Sequence, residues 1–82
     1  MIVYIITDSC DYEGSSLAGV HVDRAKAINE FEEIVASGQW CDNLELDAWD
    51  AGNSEHVYEL ANAVKFRDPV IKWNREEICY YT

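Results

Sequence analysis

Residues 2–7, Ile-Val-Tyr-Ile-Ile-Thr, are largely apolar on both of the faces that a β-strand presents. Side chains alternate along a strand, so Ile2, Tyr4 and Ile6 point one way and Val3, Ile5 and Thr7 the other. A segment of this kind needs cover on both sides and belongs in the interior of a sheet. At 82 residues the chain has material for one core only. A single domain over residues 1–82, built around this strand, is the expected organisation.

The segment from Asp8 to Ser16 is polar and holds Gly14, which predicts a loop. Leu17 to Val22 then reads as a second strand, antiparallel to the first. Asp23 is a good N-cap, and Ala27, Ile28, Phe31, Ile34 and Val35 form one stripe at helical spacing. Asn29, Glu30 and Glu33 face away from it, and Gly38 suits the position that ends the helix. Leu44 to Trp49 alternates: Leu44, Leu46 and Ala48 on one side, Glu45, Asp47 and Trp49 on the other. Asp50-Ala51-Gly52-Asn53 predicts a turn. In residues 55–66, Val57, Leu60, Ala61 and Val64 fit a helix capped by Ser54, although Val57-Tyr58 and Val64-Lys65-Phe66 also suit short strands. The helix is the expectation, closed by Pro69. Val70–Trp73 and Glu77–Tyr81 predict two further short strands. The fold class is α+β, a two-layer sandwich with a mostly antiparallel sheet. It has a β-β-α-β core, an α-β-β tail and one main amphipathic helix.

The formal net charge is −10 and unevenly spread. Residues 1–64 hold 13 acids and two bases, Arg24 and Lys26, while residues 65–82 hold three acids and four bases. A compact domain so charged repels nucleic acid and anionic membrane and attracts basic surfaces. The opening segment lacks a basic stretch and meets Asp8 too soon for a signal peptide, and it is too short to span a bilayer. Cys10, Cys41 and Cys79 are odd in number and show no Cys-x-x-Cys, which predicts reduced thiols in a cytoplasmic protein.

Val3-Tyr4-Ile5-Ile6, Asp11-Tyr12-Glu13-Gly14, Leu17-Ala18-Gly19-Val20 and Arg24-Ala25-Lys26-Ala27 together resemble a family of small uncharacterised proteins of bacteria, phages and prophages. Its members open with a Val-Tyr-Val-Val strand, a Tyr-Glu-Gly loop, a Gly-Val-aromatic strand and a helix beginning near a Lys-Ala pair. Leu44-Glu45-Leu46-Asp47-Ala48-Trp49 resembles their acidic third strand. The resemblance covers roughly residues 3–50, with His21 in place of the usual aromatic. It implies a fold and a phage setting, and no activity.

Of the constellations that carry chemistry, Asp8, Asp11 and Glu13 fail the calcium-loop pattern: Cys10, Tyr12 and Glu13 stand where oxygen ligands and glycine are required. Cys10, Cys41, Cys79, His21 and His56 are not at zinc spacing, so no metal is expected. There is no glycine-rich loop or nucleophile elbow, so neither a cofactor nor an enzyme is expected. Glu45 and Asp47 share a strand face with Trp49, which predicts a solvated outer surface.

The acidic surface as a whole carries the functional expectation. Duplex DNA presents a negative charge about every 1.7 Å of axis, and a rigid protein bearing carboxylates can occupy the same basic groove. The residues expected to form this display are Asp8, Asp11, Tyr12, Glu13, Glu30, Glu33, Glu45, Asp47, Trp49 and Asp50. The expectation is a phage-encoded acidic inhibitor, a DNA mimic of the anti-CRISPR kind. It would act in the host cytoplasm on a nucleic-acid-binding defence protein such as a CRISPR effector, without touching nucleic acid or membrane itself. The alternative is a structural or regulatory module acting through homodimerisation or an apolar patch; a third reading is a small-ligand-binding domain.

Overall fold

The computed structural model describes residues 1–74. It is an α+β structure with one helix and a five-stranded antiparallel sheet. The elements are β1 (Ile2–Cys10), β2 (Gly14–His21), α1 (Arg24–Ser37), β3 (Asn43–Asp50), β4 (Glu55–Val64) and β5 (Ile71–Trp73). The strand order is β2-β1-β3-β4-β5. The strand expected over 77–81, and Cys79 with it, lies outside the described residues.

β1 is interior, between β2 and β3, as its two apolar faces require. It runs three residues further than expected, so the loop contracts to a short turn before β2. Its pairing with β3 sets Tyr4 against Ala48, Ile6 against Leu46 and Asp8 against Leu44. Directly opposed residues share a face. Ile6, Leu44, Leu46 and Ala48 therefore line one side of the sheet, and all are fully buried.

α1 packs on that side. The Asp23 carboxylate accepts from the amides of Ala25 (2.9 Å) and Lys26 (3.3 Å), satisfying donors that the first turn leaves orphaned. Gly38 closes the helix at φ 72°, a left-handed conformation that glycine adopts without strain. Ala27 and Phe31 are fully buried, and Ile28, Ile34 and Val35 pack against the same core. Phe31 meets Trp73 of β5 edge to face, with centroids 6.0 Å apart. Lys65, just past β4, donates to the Gly38 carbonyl at 3.1 Å and stands over the Trp40 ring, placing a cation at the negative end of the helix.

Two expectations are corrected. Residues 55–64 form β4, not a helix, and the tail after β3 is β-β rather than α-β-β in its described part. The pairing of β4 with β3 shifts register between Leu46 and Asp47 and again between Ala48 and Trp49. Each shift inserts one residue, Leu60 and Val57, into β4. Same-face residues then fall three apart, as His56, Glu59 and Asn62 do, and imitate a helical period. The loop to β5 is held by Arg67, whose guanidinium donates to the Asn62 and Val70 carbonyls (both 3.0 Å) and to the Asn62 side chain (2.9 Å).

The second correction concerns the cysteines. Cys10 and Cys41 form a disulfide, with Cα atoms 5.2 Å apart. Counting cysteines along the chain does not reveal that β1–β3 pairing sets Ser9 opposite Asn43 and so brings positions 10 and 41 together. The Asp42 amide donates to the Ser9 carbonyl at 3.0 Å, and the Cys41 amide donates to the Asp8 carboxylate at 2.9 Å.

The bond closes a loop of sequence separation 31. Replacing both residues, Cys10→Ser with Cys41→Ser, is expected to lower the unfolding free energy by about 3–4 kcal/mol, the chain-entropy value for a loop of this size. Urea titration of both proteins without reductant measures it. An unchanged midpoint would show that the ladder alone secures this end of the sheet.

Candidate functional site

No described element covers the side of the sheet opposite α1. The register lays its side chains out in rows. Val3, Trp49 and His56 form one row, Ile5, Asp47 and Glu59 the next, and Thr7, Glu45, Asn62 and Lys72 the third. Val20 and Leu17 of β2 extend the second and third rows at the far edge. The centre of this face is anionic. Glu45, Asp47 and Glu59 each offer a carboxylate oxygen, and the three oxygens lie within 4.8 Å of one another.

The surroundings of the three acids differ. Asp47 is buried at 6% exposure and accepts or shares a hydrogen bond with His56 Nε2 at 2.9 Å. His56 also meets Trp49 edge to face, with centroids 5.3 Å apart. Glu59 accepts from the Asn62 amide nitrogen at 2.9 Å. The Glu45 carboxyl is held above the ordinary carboxylate value, first by burial, then by the adjacent Asp47 and Glu59 charges and a hydrogen bond with Asp47; His56 opposes this. Chemically, the trio can share a proton, take a cationic side chain, or converge on a hard cation, which binds several oxygens at 2.3–2.6 Å. Beside it Glu59, Asn62, Lys72, Trp73 and Asn74 line a depression of ≈ 210 Å³.

Among the described residues no Lys or Arg forms an ion pair with a carboxylate. The pairs present are His56–Asp47, His21–Glu30 and the Met1 amino group with Asp50. Among the described residues, the acids at the centre of the open face thus meet His56 but no Lys or Arg at ion-pair distance.

The ten residues expected to form one display fall in separate places. Glu45, Asp47 and Trp49 stand together on the open face, but Asp47 is buried where a solvated surface was expected, because Glu45, Glu59, His56 and Ile5 crowd around it. Asp11, Tyr12 and Glu13 are exposed in the β1–β2 turn at one end. Asp8 is turned onto the Cys41 amide. Glu30 does not face away from the body; it bonds His21 Nε2 at 2.8 Å across the bare backbone of Gly19. Glu33 is exposed on α1, on the other side of the sheet from Glu45. Asp50 ends β3, and donation from the Gly52 amide (2.9 Å), aided by Asn53 and the Met1 amino group, holds its carboxyl below the ordinary value. Glu59 was missed because the segment reads as a helix, and His56 was weighed only as a metal ligand; the register with β3 is what sets both beside Asp47.

No protein-family model, no curated protein and no solved structure matches the chain. No helix among the described residues is long and apolar enough to cross a membrane.

The raised Glu45 value fixes a sign. The folded protein holds this proton to higher pH than the unfolded chain does, so the associated stability is present at low pH and lost as pH rises through the folded value. Glu45→Gln is therefore expected to be more stable than the parent at neutral pH. The advantage should shrink as pH falls through the raised folded value and vanish below the ordinary Glu value of 4.5. Urea unfolding across that range checks it; a variant less stable than the parent at neutral pH would contradict the assignment.

Proposed function

We propose that the protein is a non-enzymatic, phage-encoded inhibitor that binds a host nucleic-acid-binding defence protein, of the CRISPR-effector kind, through the open face of its sheet. The observation that carries this reading is the gathering of Glu45, Asp47 and Glu59 at the centre of a face that, among the described residues, has no cover and no Lys or Arg ion pair. A basic groove evolved for phosphates meets there a fixed negative charge on stiff strands, which steers association. Trp49 and the half-buried Ile5 flank the charge and supply apolar contact of the kind that anchors interfaces. The ≈ 210 Å³ depression is smaller than the 300–1,000 Å³ typical of small-molecule sites, which favours a macromolecular partner.

The reading differs from a continuous polynucleotide mimic. Asp8, Glu30 and Asp50 are engaged within the protein, and Glu33 lies on the other side; the imitation is confined to a compact anionic centre. The proposed place of action is the host cytoplasm. Disulfides persist mainly in oxidising compartments, so the Cys10–Cys41 pair is expected to be largely reduced while the protein is inside the cell and to close afterwards.

Host lysate passed over the immobilised protein tests the reading, with duplex DNA as competitor. A basic host protein is expected to be retained at about 0.1 M salt and released by duplex DNA or at about 1 M salt, where the screening length falls from about 10 Å to about 3 Å. A Glu45→Gln/Glu59→Gln variant should retain it at least tenfold less well, while Glu32→Gln/Glu33→Gln on the helix should behave as the parent. Retention indifferent to salt, DNA and the face substitutions would overturn the proposal.

A further inference from the structure

Each cysteine of the Cys10–Cys41 pair is followed directly by an aspartate, Asp11 and Asp42. Three hydrogen bonds tie the two segments together independently of the sulfur bond. The Asp42 amide donates to the Ser9 carbonyl (3.0 Å), the Cys41 amide to the Asp8 carboxylate (2.9 Å) and the Asp11 amide to the Asp42 carboxylate (2.8 Å). The Asp42 carbonyl also accepts from the Lys65 amide at 3.3 Å, which fixes this residue from the end of β4. A clasp of this kind holds the two cysteine backbones together whether or not their sulfurs are joined. Closure of a disulfide between thiols already in place is intramolecular, and their effective concentration favours it.

The clasp also sets charge beside the sulfurs. Asp42 Oδ2 lies 4.0 Å from Cys41 Sγ. Among the described residues Asp42 has no ion pair. Lys65 is held near it by its backbone, but the Lys65 ammonium serves the Gly38 carbonyl and the Trp40 ring. Both cysteines are half-buried, within reach of small reagents. A thiol attacks a disulfide as the thiolate, and the departing sulfur also carries negative charge. The Asp42 carboxylate therefore opposes the reaction at either sulfur. Attack on Cys41 brings an anion towards it; attack on Cys10 leaves the anion on Cys41, beside it.

We propose that Cys10–Cys41 is a reversible redox site that exchanges with neutral and cationic thiols and is guarded by Asp42 against anionic ones. The proposal does not depend on the reading of the acidic face. In the first step a reagent thiolate bonds to one cysteine sulfur. The S–S bond breaks, and its electron pair leaves on the other sulfur, which takes a proton from water. In the second step another reagent thiolate attacks the reagent sulfur of the mixed disulfide. This releases the reagent disulfide and the second cysteine, which is protonated in turn. Two thiols thus supply the two electrons. Reclosure runs in reverse: an oxidised reagent forms a mixed disulfide with one cysteine, and the other, held by the clasp, displaces the reagent thiol.

Reduction of the folded full chain in a Cys79→Ser background tests it, with alkylation and mass measurement counting the thiols. Rate constants per thiolate are measured for cysteamine, 2-mercaptoethanol and 2-mercaptoethanesulfonate at about 0.1 M and about 1 M salt. Each is divided by the same reagent's constant towards bis(2-hydroxyethyl) disulfide, which removes its intrinsic nucleophilicity. At low salt the ratios are expected to fall in that order, and at high salt to converge. Asp42→Asn keeps an acceptor for the Asp11 amide and removes the charge. It should speed the anionic reagent at least fivefold, roughly the factor for a unit charge about 4 Å away in a water-like medium, and cysteamine by less. Glu32→Gln, with the same change in net charge, should behave as the parent. The reduced protein should keep its circular dichroism spectrum and reclose with bis(2-hydroxyethyl) disulfide without accumulating the mixed disulfide. Equal ratios for the three reagents at low salt, acceleration by Glu32→Gln as large as by Asp42→Asn, unfolding on reduction, or a mixed disulfide as the main product of reoxidation would each overturn the proposal.

Discussion

The structure depends on a mismatch between one helix and five strands. α1 has 14 residues, about 21 Å of helix, on a cylinder roughly 10 Å wide. Five strands spaced about 4.8 Å apart make a sheet roughly 20 Å across, with two faces. The helix can seal the middle of one face only. That face is where Ile6, Phe31, Leu44, Leu46 and Leu60 are fully buried, with Ala27, Ala48, Ala61 and Ala63 small enough to let helix and sheet approach. Among the described residues no element covers the other face, and the candidate site arises from this shortage of cover.

Much of the covered layer was legible in the sequence. β1 announces itself by apolar residues on both faces, α1 by its stripe between Asp23 and Gly38, and β3 by its strict alternation. What failed to read were features made by partners distant in sequence. β4 carries two inserted residues, Val57 and Leu60, which change a period of two into a local period of three. Only the register with β3 reveals that His56, Glu59 and Asn62 share a face with Trp49, Asp47 and Glu45. The Cys10–Cys41 bond is likewise invisible until β1 and β3 are paired. The acidic display was legible as charge but not as place. Composition gives the number of acids, whereas the turn at Asp50, the Cys41 amide beside Asp8 and the His21 ring beside Glu30 decide which of them are engaged within the protein.

The central trio runs against the local rules of stability. Placing Glu45, Asp47 and Glu59 on adjacent strands of one face sets like charges side by side, which destabilises a sheet, and burial raises the Glu45 carboxyl further from its ordinary state. Conflicts of this kind concentrate where a protein trades stability for a site.

The claim on which the account turns is that the open face, rather than net charge in general, receives a basic partner. Amide chemical-shift mapping during titration with an oligolysine peptide tests it most directly. The account predicts shifts centred on Glu45, Asp47, Trp49, His56 and Glu59, with the exposed acids of α1, Glu32 and Glu33, little changed. Shifts spread over the helix, the β1–β2 turn and the sheet in proportion to their acids would contradict it.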